Sequence, residues 1–150
     1  MYFFTVHLYC GCSCISGTSA FTAAVSQVIP RTSDIKFLNI LYNDGNDYSG
    51  NTGVFTCRIP GQYWFSATIT KKAAARVESI YCFIVVNDAQ TLSMFTRPHG
   101  ANESTNSVSA SAAFYLNIGD RVKVGSCSGP EVLDNGYDTH FSGILIKPDA

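Results

Sequence analysis

Charge is scarce in this chain. Of its 150 residues only 14% are Asp, Glu, Lys or Arg, against about 25% in an ordinary soluble domain. Ten basic and eleven acidic side chains leave a net charge of −1, so the broad basic surface of a nucleic-acid binder is absent. No run of 18 apolar residues occurs, and no segment reads as a membrane-spanning helix. Helical patterning is missing as well. The one helix-friendly stretch, Ala73-Ala74-Ala75, is too short to hold a helix by itself. No Gly-X-Y repeat appears, so this sequence contains no collagen stalk.

The six cysteines form no CxxC pair and share no zinc-type spacing with histidine. Catalytic groupings are equally absent. Gly125-Ser126-Cys127-Ser128-Gly129 has the outline of a nucleophile elbow, but its centre is cysteine and no helical pattern follows. The three histidines are dispersed, and no nucleophile, base and orienting group stand together. The chain therefore reads as a binding protein and not as an enzyme. Asp44-Gly45-Asn46-Asp47 begins like a calcium loop, but an EF-hand needs Gly at its sixth position and Glu at its twelfth. Here those positions hold Ser49 and Phe55, so an Asn/Asp-rich turn is expected.

What the chain does have is apolar residues, 46% of the total, with Phe and Tyr dominating the aromatics. A chain of this length makes one domain and buries roughly two-thirds of its unfolded surface. Low charge in so small a domain points to surface hidden in an oligomer. Residues 1–18 stand apart. Tyr2 to Tyr9 is mostly apolar, and Cys10, Cys12 and Cys14 follow closely. The segment is either a secretory signal peptide or an arm whose cysteines link subunits, and residues 19–150 form the globular domain.

Period-two alternation dominates that domain. Val108, Ala110, Ala112, Phe114, Leu116 and Ile118 share one face; Ser109, Ser111, Ala113, Tyr115 and Asn117 share the other. Tyr63, Phe65, Ala67 and Ile69 alternate with Gln62, Trp64, Ser66 and Thr68. Shorter runs centre on Phe55, on Val122 and Val124, and on Phe141, Gly143 and Leu145, while Ser79 to Val86 is apolar on both faces. Turn signals separate the runs: Asp44-Gly45-Asn46, Pro60-Gly61, Gly119-Asp120 and Asn135-Gly136. The expectation is an all-β sandwich or jelly roll of eight to ten strands in two antiparallel sheets.

On the solvent side of three strands stand Trp64, Tyr115, Ile144 and Ile146. A monomer seldom exposes so much contiguous apolar surface, so these four are the candidate subunit interface. Tyr81 and Phe83 fall outside that group.

Four pieces carry a resemblance to a known family. Gly53 to Phe65 contains the order Gly-Phe55-Cys57-Pro60-Gly61-Tyr63-Phe65. Phe21 lies in a matching first strand. Phe114, Leu116, Gly119, Asp120 and Val122 follow in order, and Phe141, Gly143 and Leu145 close the chain. Together these pieces are similar to the C1q-type globular head over about residues 20–147. The resemblance implies a ten-strand jelly roll shared with tumour necrosis factors. It also implies trimers, secretion and ligand recognition. Some family members bridge the strand of the Phe-Thr-Cys motif to the strand after the next loop. Cys57 and Cys82 both face inward, but Cys82 stands one position off that pattern, so their pairing is left open, and Cys127 reads as unpaired within the domain. Some family members bind calcium through carboxylates in the loop before the serine-rich strand. This chain has Pro98 and Asn106 there, with Glu103 as a single remaining carboxylate, so neither calcium nor another cofactor is expected.

Three further features bear on ligands. Lys71, Lys72 and Arg76 form a basic cluster, which three copies would repeat around a trimer. Asp134, Asn135, Tyr137, Asp138 and His140 mix hydrogen-bonding groups with an aromatic, a composition suited to sugars and also to any exposed loop. Asn102-Glu103-Ser104 is a glycosylation sequon. Two readings follow: a secreted trimeric lectin or pattern-recognition protein for microbial glycans or polyanionic surfaces in innate immunity, or a cytokine-like ligand of a protein receptor. A structural extracellular trimer is a third.

Overall fold

The computed structural model describes residues 17–27, 29, 33–71, 79–97, 106–128 and 137–149, with the backbone alone described at 71. Ten strands follow one another: β1 Ala20–Ala24, β2 Asn39–Asp44, β3 Tyr48–Ser49, β4 Val54–Thr56, β5 Gly61–Lys71, β6 Ile80–Val86, β7 Ala89–Thr96, β8 Asn106–Leu116, β9 Arg121–Ser128 and β10 His140–Pro148. They form two five-stranded antiparallel sheets, ordered β2-β1-β10-β5-β8 and β3-β4-β9-β6-β7. Non-consecutive neighbours in both sheets make this a jelly roll, as the alternation and the resemblance imply.

The inward residues of the two sheets meet in an aromatic core. Phe21 stacks on Tyr48 at 4.5 Å and meets Phe141 edge-on at 5.0 Å. Phe55 lies 5.3 Å from Phe65, which stacks on Phe141 at 5.9 Å. Burying each such ring contributes about 1.5–3 kcal/mol relative to leaving it exposed. Gly143 is the gap these rings need. A Cβ there would lie 2.5 Å from the Phe65 ring and 2.6 Å from the Phe21 ring. Phe55, Tyr63, Phe65 and Phe141, inward-facing by alternation, are buried, and Phe21, which the resemblance placed in the first strand, is buried with them. Tyr48 and Phe37 join them, and the Tyr48 hydroxyl donates to the Phe37 carbonyl at 3.3 Å.

Phe114 points inward and packs against the core, half-buried because β8 is the outermost strand of its sheet. Two expectations need correction. β8 ends at Leu116, so Ile118 leaves the inward face and is 72% exposed in the following turn. The disulfide joins Cys82 to Cys127, and Cys57 is a free buried thiol. The cause is a bulge between β6 and β9. Tyr81 pairs with Ser128 and Phe83 with Gly125, so two residues of β9 oppose Cys82 alone. Ser126 takes a positive φ of 50°, the parity of β9 flips, and Cys127 turns inward against the core. Cys57 lies past the end of β4, where its thiol donates to the Ile59 carbonyl at 3.2 Å. Burial pushes that thiol's pKa up, outweighing the hydrogen bond with Tyr63.

Candidate functional site

The alternation of β5, β8 and β10 points half of their side chains away from the core, onto one outer face. Trp64 and Ile144 are direct cross-strand partners there. Tyr115 pairs with Gln62 on the far side of β5, and Ile146 sits at a bulge in β10 between Leu145 and Lys147. All four are between 43% and 56% exposed. The structure thus brings the four sequence-selected residues onto a single sheet face. It adds Tyr42 of β2, which the sequence reading missed. Tyr42 pairs with Thr22 and lines a notch of about 320 Å³ together with Trp64, Ile144 and Ser66. Among residues 38–42 the apolar side chains do not alternate with polar ones, so period-two reasoning had nothing to read there.

The same face changes character along the strands. Beyond Trp64, toward the end of β5, come Ser66, Thr68 and Thr70, paired with Ser111, Ser109 and Ser107 of β8. The hydroxyls of Thr68 and Ser109 are 2.9 Å apart, and those of Thr70 and Ser107 2.8 Å. Ser142 donates to Thr22 at 3.1 Å. One half of the face is apolar and the other is a lattice of hydroxyls.

The hydroxyl half leads to one pole of the sandwich. Lys71 pairs with Asn106 in one sheet, while Ile80 pairs with Thr96 and Tyr81 with Ser128 in the other. Those strand ends flank segments 72–78, 98–105 and 129–136. Lys72, Arg76, Asn102, Asp134 and Asn135 lie in these segments, outside the described residues, as does the side chain of Lys71. The described strand ends on either side of these segments, Lys71, Ile80, Thr96, Asn106 and Ser128, lie at the same pole. Tyr137 is 65% exposed there. His140 is half-buried, its Nδ1 3.1 Å from the Tyr137 carbonyl. Thr139, unremarked in the sequence, anchors this approach. It is fully buried, accepts a hydrogen bond from the Thr70 amide at 2.9 Å, and its carbonyl accepts from the Val25 amide at 3.0 Å.

The outer face of the second sheet carries Tyr81 and Phe83 in edge contact at 4.8 Å, with Arg97 over the Phe95 ring at 5.6 Å. No group of three or more His, Cys, Asp or Glu among the described residues is placed to hold a metal ion. Among the same residues no helix is long and apolar enough to cross a membrane.

A family model described as the C1q domain matches residues 20–146. The mouse collagen alpha-1(X) chain is 30% identical over 137 residues, covering 87% of this chain and 19% of that protein. The human complement C1q tumor necrosis factor-related protein 2 is 47% identical over 62 residues, 39% of this chain and 22% of its own. The chain thus spans about a fifth of the length of these curated relatives. Among solved structures, the globular domain of the zebrafish complement 1qA protein superposes with a TM-score of 0.69 at 20% identity, covering 87% of this chain and 99% of that one. The Eiger TNF structure from S. frugiperda gives 0.69 at 13% identity, covering 89% and 96%. At such identities these two share the fold.

Proposed function

The chain belongs to the C1q domain family, and from that premise we propose that it is a secreted, trimeric recognition module. It would engage microbial glycans or polyanionic surfaces at the pole where the strands flanking segments 72–78, 98–105 and 129–136 end. The observation that carries the reading is the apolar half of the outer sheet face, with Trp64, Ile144, Tyr115 and Ile146 all near half exposed. A second and third copy of the chain would take that surface out of water. Three copies would also set three loop poles side by side, so weak individual contacts would add up to useful avidity. Loops on a rigid sandwich are where recognition residues usually sit, and Lys71, Lys72 and Arg76 would supply the charge that polyanions need.

The test has two stages. Light scattering of the protein, with and without reductant, is expected to give a mass of three subunits in both conditions. A single-subunit mass removes the interface and the avidity with it. A glycan and lipopolysaccharide panel then separates this reading from a cytokine-like one. Glycan binding lost on the Lys71→Gln/Lys72→Gln/Arg76→Gln variant supports recognition at the loop pole. Capture of a single protein receptor with no glycan binding favours the cytokine-like alternative.

A further inference from the structure

At the opposite pole the outer side of β3, β4 and the β8–β9 turn borders a second concavity, open to solvent. Its volume is about 600 Å³, within the ~300–1,000 Å³ typical of small-molecule sites. It lies on the other sheet from the apolar face, so an assembly built on that face leaves it a separate site.

The chemistry of its lining is specific. Two guanidinium groups, Arg58 and Arg121, and one carboxylate, Asp47, border it, leaving one positive charge in excess. The charge is not shared evenly. Arg58 donates from Nε to Asp47 Oδ1 at 3.0 Å and from Nη2 to the Thr18 carbonyl at 3.1 Å. Asp47 also accepts from Ser19 at 2.6 Å. That cluster is held by its own contacts, with Asp47 almost fully buried. Arg121 is different. It is exposed on β9, opposite Thr56, and its guanidinium has no hydrogen-bond or ion-pair partner among the described residues. The neighbouring Asp120 directs its carboxylate to the Asn117 amide and the Asn87 side chain instead. The uncommitted cation is therefore single.

Around it stand Ser49, Thr52 and Thr56, three hydroxyl side chains. The Thr52 hydroxyl donates only a 3.4 Å bond to the Ser49 carbonyl. Exposed Ile118 and the flank of Val54 supply apolar walls. One free guanidinium selects one anionic group and favours a planar carboxylate, which it grips with two parallel bonds. Clustered hydroxyls match a polyol, and an aliphatic wall matches the C–H face of a sugar ring. We propose that this cleft is a binding site for a sugar acid, a pyranose bearing one carboxylate. The proposal stands independently of the loop pole.

Titration calorimetry on the full chain tests it with three probes: glucuronic acid, glucose and acetate. Glucuronic acid is expected to bind at least tenfold more tightly than either of the others, because only it offers both carboxylate and hydroxyls. Arg121→Gln is expected to weaken glucuronic acid at least tenfold, and Thr56→Val several-fold. Arg97→Gln, on the other end of the second sheet, is expected to leave it unchanged. Glucose or acetate binding as tightly as glucuronic acid overturns the assignment, and so does an unchanged affinity in Arg121→Gln. If glycan surfaces still bind through the loop pole while the cleft fails these tests, only the present inference falls.

Discussion

Asp120 shows what a family-motif residue does physically. Gly119, at φ 88°, turns the chain between β8 and β9, and Asp120 locks that turn. Its carboxylate accepts from the Asn117 amide at 2.7 Å and from the Asn87 side chain at 2.9 Å. Asn87 in turn accepts from the Arg121 amide at 2.9 Å. Two turns from different strand pairs are thus tied at one pole. The backbone hydrogen bond, followed by that of Asn87, holds the Asp120 carboxyl below its ordinary value. A carboxyl with a lowered folded-state pKa adds stability above its unfolded pKa and loses it as pH falls through the folded one. Asp120→Asn should therefore be less stable than the parent near neutrality. The difference should shrink as pH drops below about 4, the ordinary range of the group. Denaturant midpoints measured from pH 7 down to pH 2 check this. A constant difference across that range would show that the charge on Asp120 contributes nothing. The sequence offered Asp120 as a turn residue, yet its partner Asn87 is 33 positions away and belongs to no shared motif.

At the scale of strands, legibility followed exposure. β5, β8 and β10 have one face in the core and one outside, and their alternation showed both. β7 is an outermost strand with only Met94 fully buried and Leu92 half-buried, so its sequence carries little apolar rhythm. The β6–β9 bulge is the sharpest case. Alternation from Val122 and Val124 assigns Ser126 to the core and Cys127 to solvent, and one extra residue reverses that. The pairing of Cys82 with Cys127 closes a loop with a sequence separation of 45 residues. In the loop-entropy picture a closure of that length contributes about 4 kcal/mol, with measured bridges nearer 2–4. The Cys82→Ser/Cys127→Ser variant is accordingly expected to lose stability on that order in chemical denaturation. Cys57→Ser, at a thiol without a bridge, should leave a protein whose stability still drops on adding reductant. If Cys57→Ser abolished the effect of reductant, the bridge would have to involve Cys57 after all.

For the whole molecule, the decisive question is what covers the apolar half of the outer sheet face. Within a single chain Trp64 already presents much of its ring to water while its β5 neighbours Tyr63 and Phe65 are sealed in the core. Replacing it should therefore cost the isolated fold little and the assembly much. Trp64→Glu would set one unpaired carboxylate per subunit into the proposed contact, where burial without a partner is expensive. The expected outcome is a protein with the parent's β-sheet circular dichroism and the mass of one subunit. Thermal melting sharpens the distinction. If three folded chains dissociate as they unfold, each tenfold rise in concentration stabilises the trimer by about 2.7 kcal/mol. The parent's midpoint should climb with concentration, and the variant's should not. A parent midpoint independent of concentration, with Trp64→Glu unchanged in mass, would leave the aromatic face free in solution. Trp64, Tyr42 and Ile144 around their notch would then be a surface for a different protein.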